Sequence, residues 1–217
     1  MLEASILPHE WIDFCRMSAA IGKDTGLVQG AGGNVSLKEN GVLQVKASGK
    51  WLCDAEKENI FVPLDLASTS RRTLSGSDDF TSCVLGEARL KPSIETGMHA
   101  LLPHRVVIHV HSLNALAHAV LEHGDEDLAT LLGDIDWRWI PYARPGAPLV
   151  KQIYTRIDSA SHKPLLLILA NHGIVVSADS IENAMDLLNE VEDRLHVNKR
   201  VFFVPEDKMP SSPSVRD

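Results

Sequence analysis

Hydrophobic and polar positions along the chain change period from stretch to stretch, and each period predicts an element. Between Pro8 and about Gly22, Trp11, Phe14, Cys15 and Ala19 recur at helical spacing, which predicts an amphipathic helix stopped by Gly22. A glycine-rich turn, Gln29 to Asn34 (QGAGGN), then leads into VSLKENGVLQVK. That run holds two short β-favouring segments around Asn40-Gly41, the strongest two-residue signal for an antiparallel hairpin. Another turn follows at Ala47-Ser48-Gly49-Lys50, then an apolar strand around Ile60 to Leu66. The polar stretch STSRRTLSGSDD reads as an exposed loop.

Helices are expected over Phe80 to Glu87 and again from near Ser93, ahead of a β-branched strand from Val106 to His111 (VVIHVH). Ser112 and Asn114 are placed to cap a helix through His123, with Gly124 ending it. PLLLILA and IVVS predict two further strands joined by a turn at Asn171-His172-Gly173. Asp179 with Glu182 resembles a capping box opening a long helix from about Ser180 to Lys199, with Ala184, Leu187, Leu188, Val191 and Leu195 as its apolar face. There is no internal repeat. This mixture of hairpin and helices predicts an α/β fold with a substantially antiparallel sheet.

Composition narrows the picture. With 217 residues, 44% hydrophobic and 23% charged, the chain is long enough for one large domain over residues 1–217, its core at about 8–203 and a polar tail at 204–217. The formal charge is -8 and no Lys/Arg run is long enough to offer a phosphate-tracking stripe, so no nucleic acid partner is expected. No segment approaches the ~20 apolar residues of a membrane span. The N-terminus has no basic region followed by an apolar run, and Cys15, Cys53 and Cys83 form no CxxC pair. A cytoplasmic protein is the expectation.

The histidines are the anomaly, because six of the 10 fall between His99 and His123. His109 and His111 lie two apart on a predicted strand, so their side chains leave one face and can reach one ion, with Zn²⁺ a good match for neutral imidazoles. His172, between two apolar strands and before Gly173, is the natural third ligand. Glu95 is a candidate fourth ligand or general base; a carboxylate there can ligate at rest and swing off to move a proton. Plainer readings stay open for each: a packed histidine satisfied by the backbone, and a solvated glutamate in a helix's first turn. His99 shares the helix face of Glu95 and reads as a supporting or structural residue, while His104, His118 and His123 read as surface or helix residues. Three turns could hold an anion: Gly32-Gly33-Asn34, Ser48-Gly49 and Pro92-Ser93, the last also opening a helix. No dinucleotide-binding or P-loop glycine pattern occurs.

Taken in order, QGAGGNVSLK, VKASGKWL, KPSIETGMH, VVIHVHS, PYARPG and LANHGIVVS resemble the motif series of the class II aldolase/adducin family, the group of the L-fuculose-phosphate and L-rhamnulose-phosphate aldolases. The resemblance covers about residues 10–200. It implies a three-layer α/β/α domain with a mostly antiparallel central sheet, and a homotetramer with active sites at subunit contacts. Carried over by motif, His109, His111 and His172 match the zinc-binding histidines, and Glu95 the acid/base glutamate that also ligates the resting metal. Asn34, Ser48, Gly49 and Ser93 match positions around the substrate phosphate. The implied reaction is aldol cleavage of a ketose phosphate to dihydroxyacetone phosphate and an aldehyde, through an enediolate stabilised by Zn²⁺ or another divalent metal such as Mn²⁺ or Co²⁺.

Two departures stand out. Where the family often has Ser-Ser-Glu, this chain has Ser93-Ile94-Glu95, which removes one hydroxyl donor. KASGKWL and PSIET look closer to aldolase domains fused to dehydrogenases, where Lys46 or Lys50 would supply charge instead. The family's catalytic tyrosines leave only Tyr142 and Tyr154 here. Alternatives on the same scaffold are a sugar-phosphate 4-epimerase or a dehydratase, and an adducin-like interaction module without catalysis. The last predicts loss of the metal ligands, yet all four residues are present.

Overall fold

Asn40 and Gly41 take φ values of 48° and 79°, the left-handed conformation that a tight hairpin demands at both turn positions. They join β1 (Asn34–Glu39) to β2 (Val42–Lys46), which pair antiparallel. A computed structural model describes residues 8–87, 89–157 and 163–197. Around the hairpin it builds one seven-stranded sheet with β3 (Phe61–Asp65), β4 (Val106–Val110), β5 (Trp137–Ile140), β6 (Leu165–Leu169) and β7 (Gly173–Ala178). The order is β3-β2-β1-β4-β7-β6-β5, and only β5 and β6 run parallel.

Helices cover both faces. On one side α1 (Pro8–Lys23), α4 (Leu113–Ala119), α5 (Gly124–Leu132) and α7 (Ile181–Arg194) share an apolar core with Val35, Leu37, Val106, Ile108, Val110, Ile174 and Val176 of the sheet. On the other side lie α2 (Leu66–Leu74), α3 (Thr96–Leu101) and α6 (Ala147–Tyr154), packed on residues such as Val107, Leu167 and Val175. The expected α/β layering with a mostly antiparallel sheet is observed. Because β4, β6 and β7 are covered on both faces, they read in sequence as largely apolar runs, unbroken in β6 and interrupted only by His109 in β4 and Ser177 in β7.

β1 behaves differently. Its apolar positions Val35 and Leu37 enter the large core, and its polar positions Asn34, Ser36 and Lys38, which alternation alone would send to water, are buried on the face that carries α3. Ser36 Oγ lies 2.8 Å from His99 Nδ1 in the middle of α3. Lys38 Nζ donates to the carbonyls of Leu102 and His104 at that helix's C-terminal end. The polar stripe therefore ties a six-residue helix to the sheet, and Glu95 sits at its N-terminus.

Several local expectations need correction. The polar stretch after β3 is mostly helix α2, capped by Asp65, whose carboxylate accepts from Ser68 N at 2.8 Å. Thr69 and Thr73 bury there because their hydroxyls donate to carbonyls of Asp65 and Thr69. Phe80 to Glu87 forms no α-helix but one 3-10 turn, Thr81–Cys83, since Val84 bridges Leu64 and Leu85 N donates to Pro63 O beside the edge of β3. Gly124 opens α5 rather than ending α4, which stops at Ala119 and is capped by Ser112, not Asn114. α7 is capped by Ser180, while Asp179 accepts from Arg105 N, and it ends at Arg194. Lys199 and the tail at 204–217 lie outside the described residues. Helices α5 and α6 and strand β5 had no counterpart in the sequence reading.

Candidate metal centre

Alternation along β4 sends His109 and His111 to the face opposite Ile108 and Val110. β1 and β7 flank this strand, with Asn34 opposite His109 on one side and Val175 on the other. His172 arrives through the turn before β7, where Asn171 is left-handed at φ 54°. Gly173 makes that approach possible: at φ 155° its missing Cβ would lie 2.3 Å from the Val110 carbonyl oxygen. The glycine-rich turn before β1 closes on the same place, since a Cβ on Gly32 would come within 3.0 Å of His111 Nδ1.

The three rings consequently meet, with centroid separations of 5.1 Å (His109–His111), 4.8 Å (His109–His172) and 5.3 Å (His111–His172). Glu95 completes the group. It is the N-cap residue of α3, yet its carboxylate makes no cap bond; Oε1 lies 3.2 Å from His109 Nε2 and 3.5 Å from His172 Nε2. One ligand atom from each of the four residues falls within 4.8 Å of the others. Four tetrahedral ligands about 2.1 Å from one ion stand about 3.4 Å apart, so the Glu95 contacts already have ligand spacing.

The donors also have the right chemistry. His109 Nδ1 donates to the Ile174 carbonyl at 2.9 Å, which fixes the ring and leaves Nε2 as the atom facing Glu95. That Nε2 is buried and meets no hydrogen-bond partner in good geometry. A lone pair facing a carboxylate oxygen in a dry site calls for a cation between them. A proton can supply it: burial disfavours charge on His109, but the Glu95 carboxylate outweighs burial and raises its pKa. A divalent ion can supply it too, and these residues fit one. Burial also opposes charge on Glu95, yet the neighbouring histidines hold its carboxyl well below the usual carboxylate range. His111 is pushed down to about 4, chiefly by burial and then by charge on its two partners, so it is neutral and ready to ligate.

The turns proposed for an anion do meet in part. Ser48 N donates to Lys91 O and Ala47 bridges Pro92, which sets the exposed Ser48-Gly49 turn against Pro92-Ser93. Ser93 Oγ accepts from Glu95 N at 3.2 Å, while the helix itself starts later, at Thr96. Asn34 is buried with Oδ1 unpartnered. Lys46, whose pKa burial lowers, donates to the carbonyls of Ala31 and Lys50 and so links two of the turns beside Glu95. Lys50 instead pairs with Glu58. His104 is not a surface residue: it is buried against Ser177 Oγ at 2.9 Å. Tyr142 and Tyr154 are both exposed. Ser36 and Lys38 carry no local signal of their burial beside the site, since the polar alternation Asn34, Ser36, Lys38 reads as a solvent face.

Residues 13–198 match the model of the family described as Class II Aldolase and Adducin N-terminal domain. The chain belongs to this family. Among class II aldolase relatives, the N-terminal class II aldolase domain of a conserved protein from Thermoplasma acidophilum superposes with a TM-score of 0.72 at 24% identity, over 90% of this chain and 95% of that one. The L-fuculose-1-phosphate aldolase of Thermus thermophilus gives a TM-score of 0.57 at 14% identity, over 85% and 90%. YuxG of Bacillus subtilis (strain 168), named an uncharacterized oxidoreductase, is 28% identical over an alignment of 234 residues that covers 94% of this chain. The match covers 34% of YuxG, so the chain spans about a third of that relative's length. Among the described residues, no helix is long and apolar enough to cross a membrane.

Proposed function

We propose that the chain is a metal-dependent carbon-carbon lyase that cleaves a ketose phosphate, or a related sugar, by a retro-aldol reaction. The observation that carries this reading is the place of Glu95 Oε1, against the Nε2 atoms of both His109 and His172. A carboxylate held there can leave when a substrate arrives and still reach the reacting atoms. His109, His111, His172 and Glu95 would hold the ion, for which Zn²⁺ suits the imidazole-rich set and Mn²⁺ or Co²⁺ are substitutes. When bound, it supplies Lewis-acid stabilisation of the negative charge that grows on substrate oxygens as the carbon-carbon bond breaks.

The chain's own residues carry the remaining steps. Glu95 takes up a proton and delivers it to the carbon left electron-rich by cleavage. The rings of His109 and His111 hold their orientation because the backbone carbonyl of Ile174 and the turn at Gly32 fix them. Asn34, Ser48, Gly49 and Ser93 bind the anionic end of the substrate, with Lys46 adding positive potential. The products are dihydroxyacetone phosphate and an aldehyde. A cytoplasmic homotetramer belongs to the same proposal.

The test is elemental analysis of protein purified without chelator, combined with a screen of ketose phosphates for aldehyde release. About one divalent ion per chain with cleavage supports the reading. Metal without cleavage of any ketose phosphate or free ketose moves the assignment to epimerase or dehydratase chemistry. No metal after reconstitution with Zn²⁺, Mn²⁺ or Co²⁺ overturns it.

A further inference from the structure

His99 is fully buried, one helical turn beyond Glu95, and only one of its ring nitrogens is used. Nδ1 lies 2.8 Å from Ser36 Oγ, whereas Nε2 is buried without a hydrogen-bond partner. Burial holds the ring neutral, so one of its two nitrogens carries the single proton. Among the described residues the Ser36 hydroxyl makes no other hydrogen bond, and a buried hydroxyl has one proton to give. Each tautomer leaves one donor of the pair unpaired: with the ring proton on Nδ1 it is the serine O-H, and with the serine proton given to Nδ1 it is Nε2-H.

An N-H donor kept dry and unpaired is expensive, and such a group calls for an acceptor that arrives in another state of the site. Glu95 is that acceptor. The two residues share the i, i+4 face of α3, where side chains are neighbours, and each falls within the other's electrostatic reach. Thr96 Oγ1 and Asn34 Oδ1 are also buried and unpartnered; Thr96 follows Glu95 in sequence and Asn34 lies opposite His109 in the sheet. Unspent hydrogen-bonding capacity thus lies on residues next to Glu95 or its partner His109 in sequence, helix or sheet, while the carboxylate itself points at the histidines.

We propose that His99 is a positioning residue: its Nε2-H receives the Glu95 carboxylate when that group leaves His109 and His172, and Ser36 sets the tautomer that makes this possible. No proton changes owner in this step; one hydrogen bond forms as the contacts to two rings are given up. The inference rests on the metal-site reading above and adds the second resting place of its proton carrier. Without His99, Glu95 would still ligate, but its off-ligand state would have nothing to hold it.

Asparagine and glutamine separate the two ring nitrogens, because the amide nitrogen of Asn falls near the Nδ1 position and that of Gln near Nε2. His99→Asn, His99→Gln and Ser36→Ala are compared with the full-length parent for metal content, thermal unfolding and turnover. The infrared carboxylate band that Glu95→Gln abolishes is recorded with Zn²⁺ alone and with Zn²⁺ plus glycolate, a hydroxy acid able to displace it. In the parent, glycolate is expected to shift this band to that of a hydrogen-bonded free carboxylate. His99→Asn should bind metal normally, lose the shift and lose about 10–100-fold in kcat with little change in KM, as removal of outer partners typically does. His99→Gln should recover most of both. Ser36→Ala, the smallest change, should move both readouts in the same direction as His99→Asn and keeps the test available if a His99 variant does not fold. Metal-loaded, folded His99→Asn with the parent's band shift and kcat overturns the assignment, as does His99→Gln with no recovery. A parent that takes up no metal overturns the site reading itself, a different result from either.

Discussion

The Nδ1-H of His109 donates to the carbonyl of Ile174 across the β4–β7 pair, and through that bond a strand register decides which nitrogen faces Glu95. A ligand oriented by the sheet needs no reorganisation on binding. His109→Ala should therefore reduce metal content from about one ion per chain to a small fraction, with activity lost in parallel. Elemental analysis checks this, and stoichiometric metal in the variant would refute the ligand assignment.

Glu95→Gln should separate binding from chemistry. Three imidazoles remain, so part of the metal affinity survives, but the group that moves the proton is gone and most turnover goes with it. The pH dependence of metal uptake has a defined sign as well. Burial lowers the pKa of His109 and the Glu95 charge overrides it, so in the parent a proton competes with the ion as the pH falls. Removing the carboxylate leaves only the Ile174 carbonyl bond to oppose burial, and the onset of acid release should move to lower pH. Titrations with Zn²⁺ over a pH series in both proteins measure the displacement; an onset shifted upward would contradict the electrostatic account.

Gly173→Ala places a methyl 2.3 Å from the Val110 oxygen at a backbone angle that L-residues rarely adopt. β4 and β7 would have to part where His109 and His172 meet. The expected loss is at least about 2 kcal/mol in urea unfolding, with metal content falling as well. A variant with the parent's midpoint and metal content would show that the strand ends can shift freely.

How far the sequence could be read depended on whether a signal was local. Asn40-Gly41 announced its hairpin because two left-handed residues in a row suit few other sequences, and His109 with His111 announced a shared face because strand geometry fixes it. The stretch Ser68 to Asp79 looks exposed by composition, and only the bonds of Thr69 and Thr73 to carbonyls of Asp65 and Thr69 let those two bury in a helix. Val84 carries no local strand signal because its partner, Leu64, lies in a strand 20 residues earlier. In the site, the four ligand candidates were legible from residue type and order. Ser36 and Lys38 were not, since nothing in β1 says that a six-residue helix will cover its polar face. The same holds for His104, whose burial depends on Ser177 in a distant strand.

Lys38 gives the last prediction, because it anchors the far end of the helix that carries Glu95. Its amine donates to the carbonyls of Leu102 and His104, and burial pushes its pKa down to about 7, against the pull of the Asp179 charge. A neutral amine keeps two N-H donors, enough for both carbonyls, so the anchor survives loss of the proton. In the unfolded chain the group holds its proton up to its ordinary value of 10.5. Between pH 7 and 10.5 the unfolded state therefore binds the proton that the folded state has shed, and this group's contribution to stability rises with pH across that window; below pH 7 both states are protonated and the contribution is flat at its lowest. Lys38→Met removes the titration and leaves two buried carbonyls unpaired. The difference in unfolding free energy between parent and variant should grow in the parent's favour by up to about 1.4 kcal/mol per pH unit above pH 7. Urea midpoints measured for both proteins from pH 6 to 10 test it, and the subtraction cancels the titrations they share. A difference that stays constant with pH would mean that Lys38 remains charged in the fold. One that shrinks would reverse the sign of its coupling to α3.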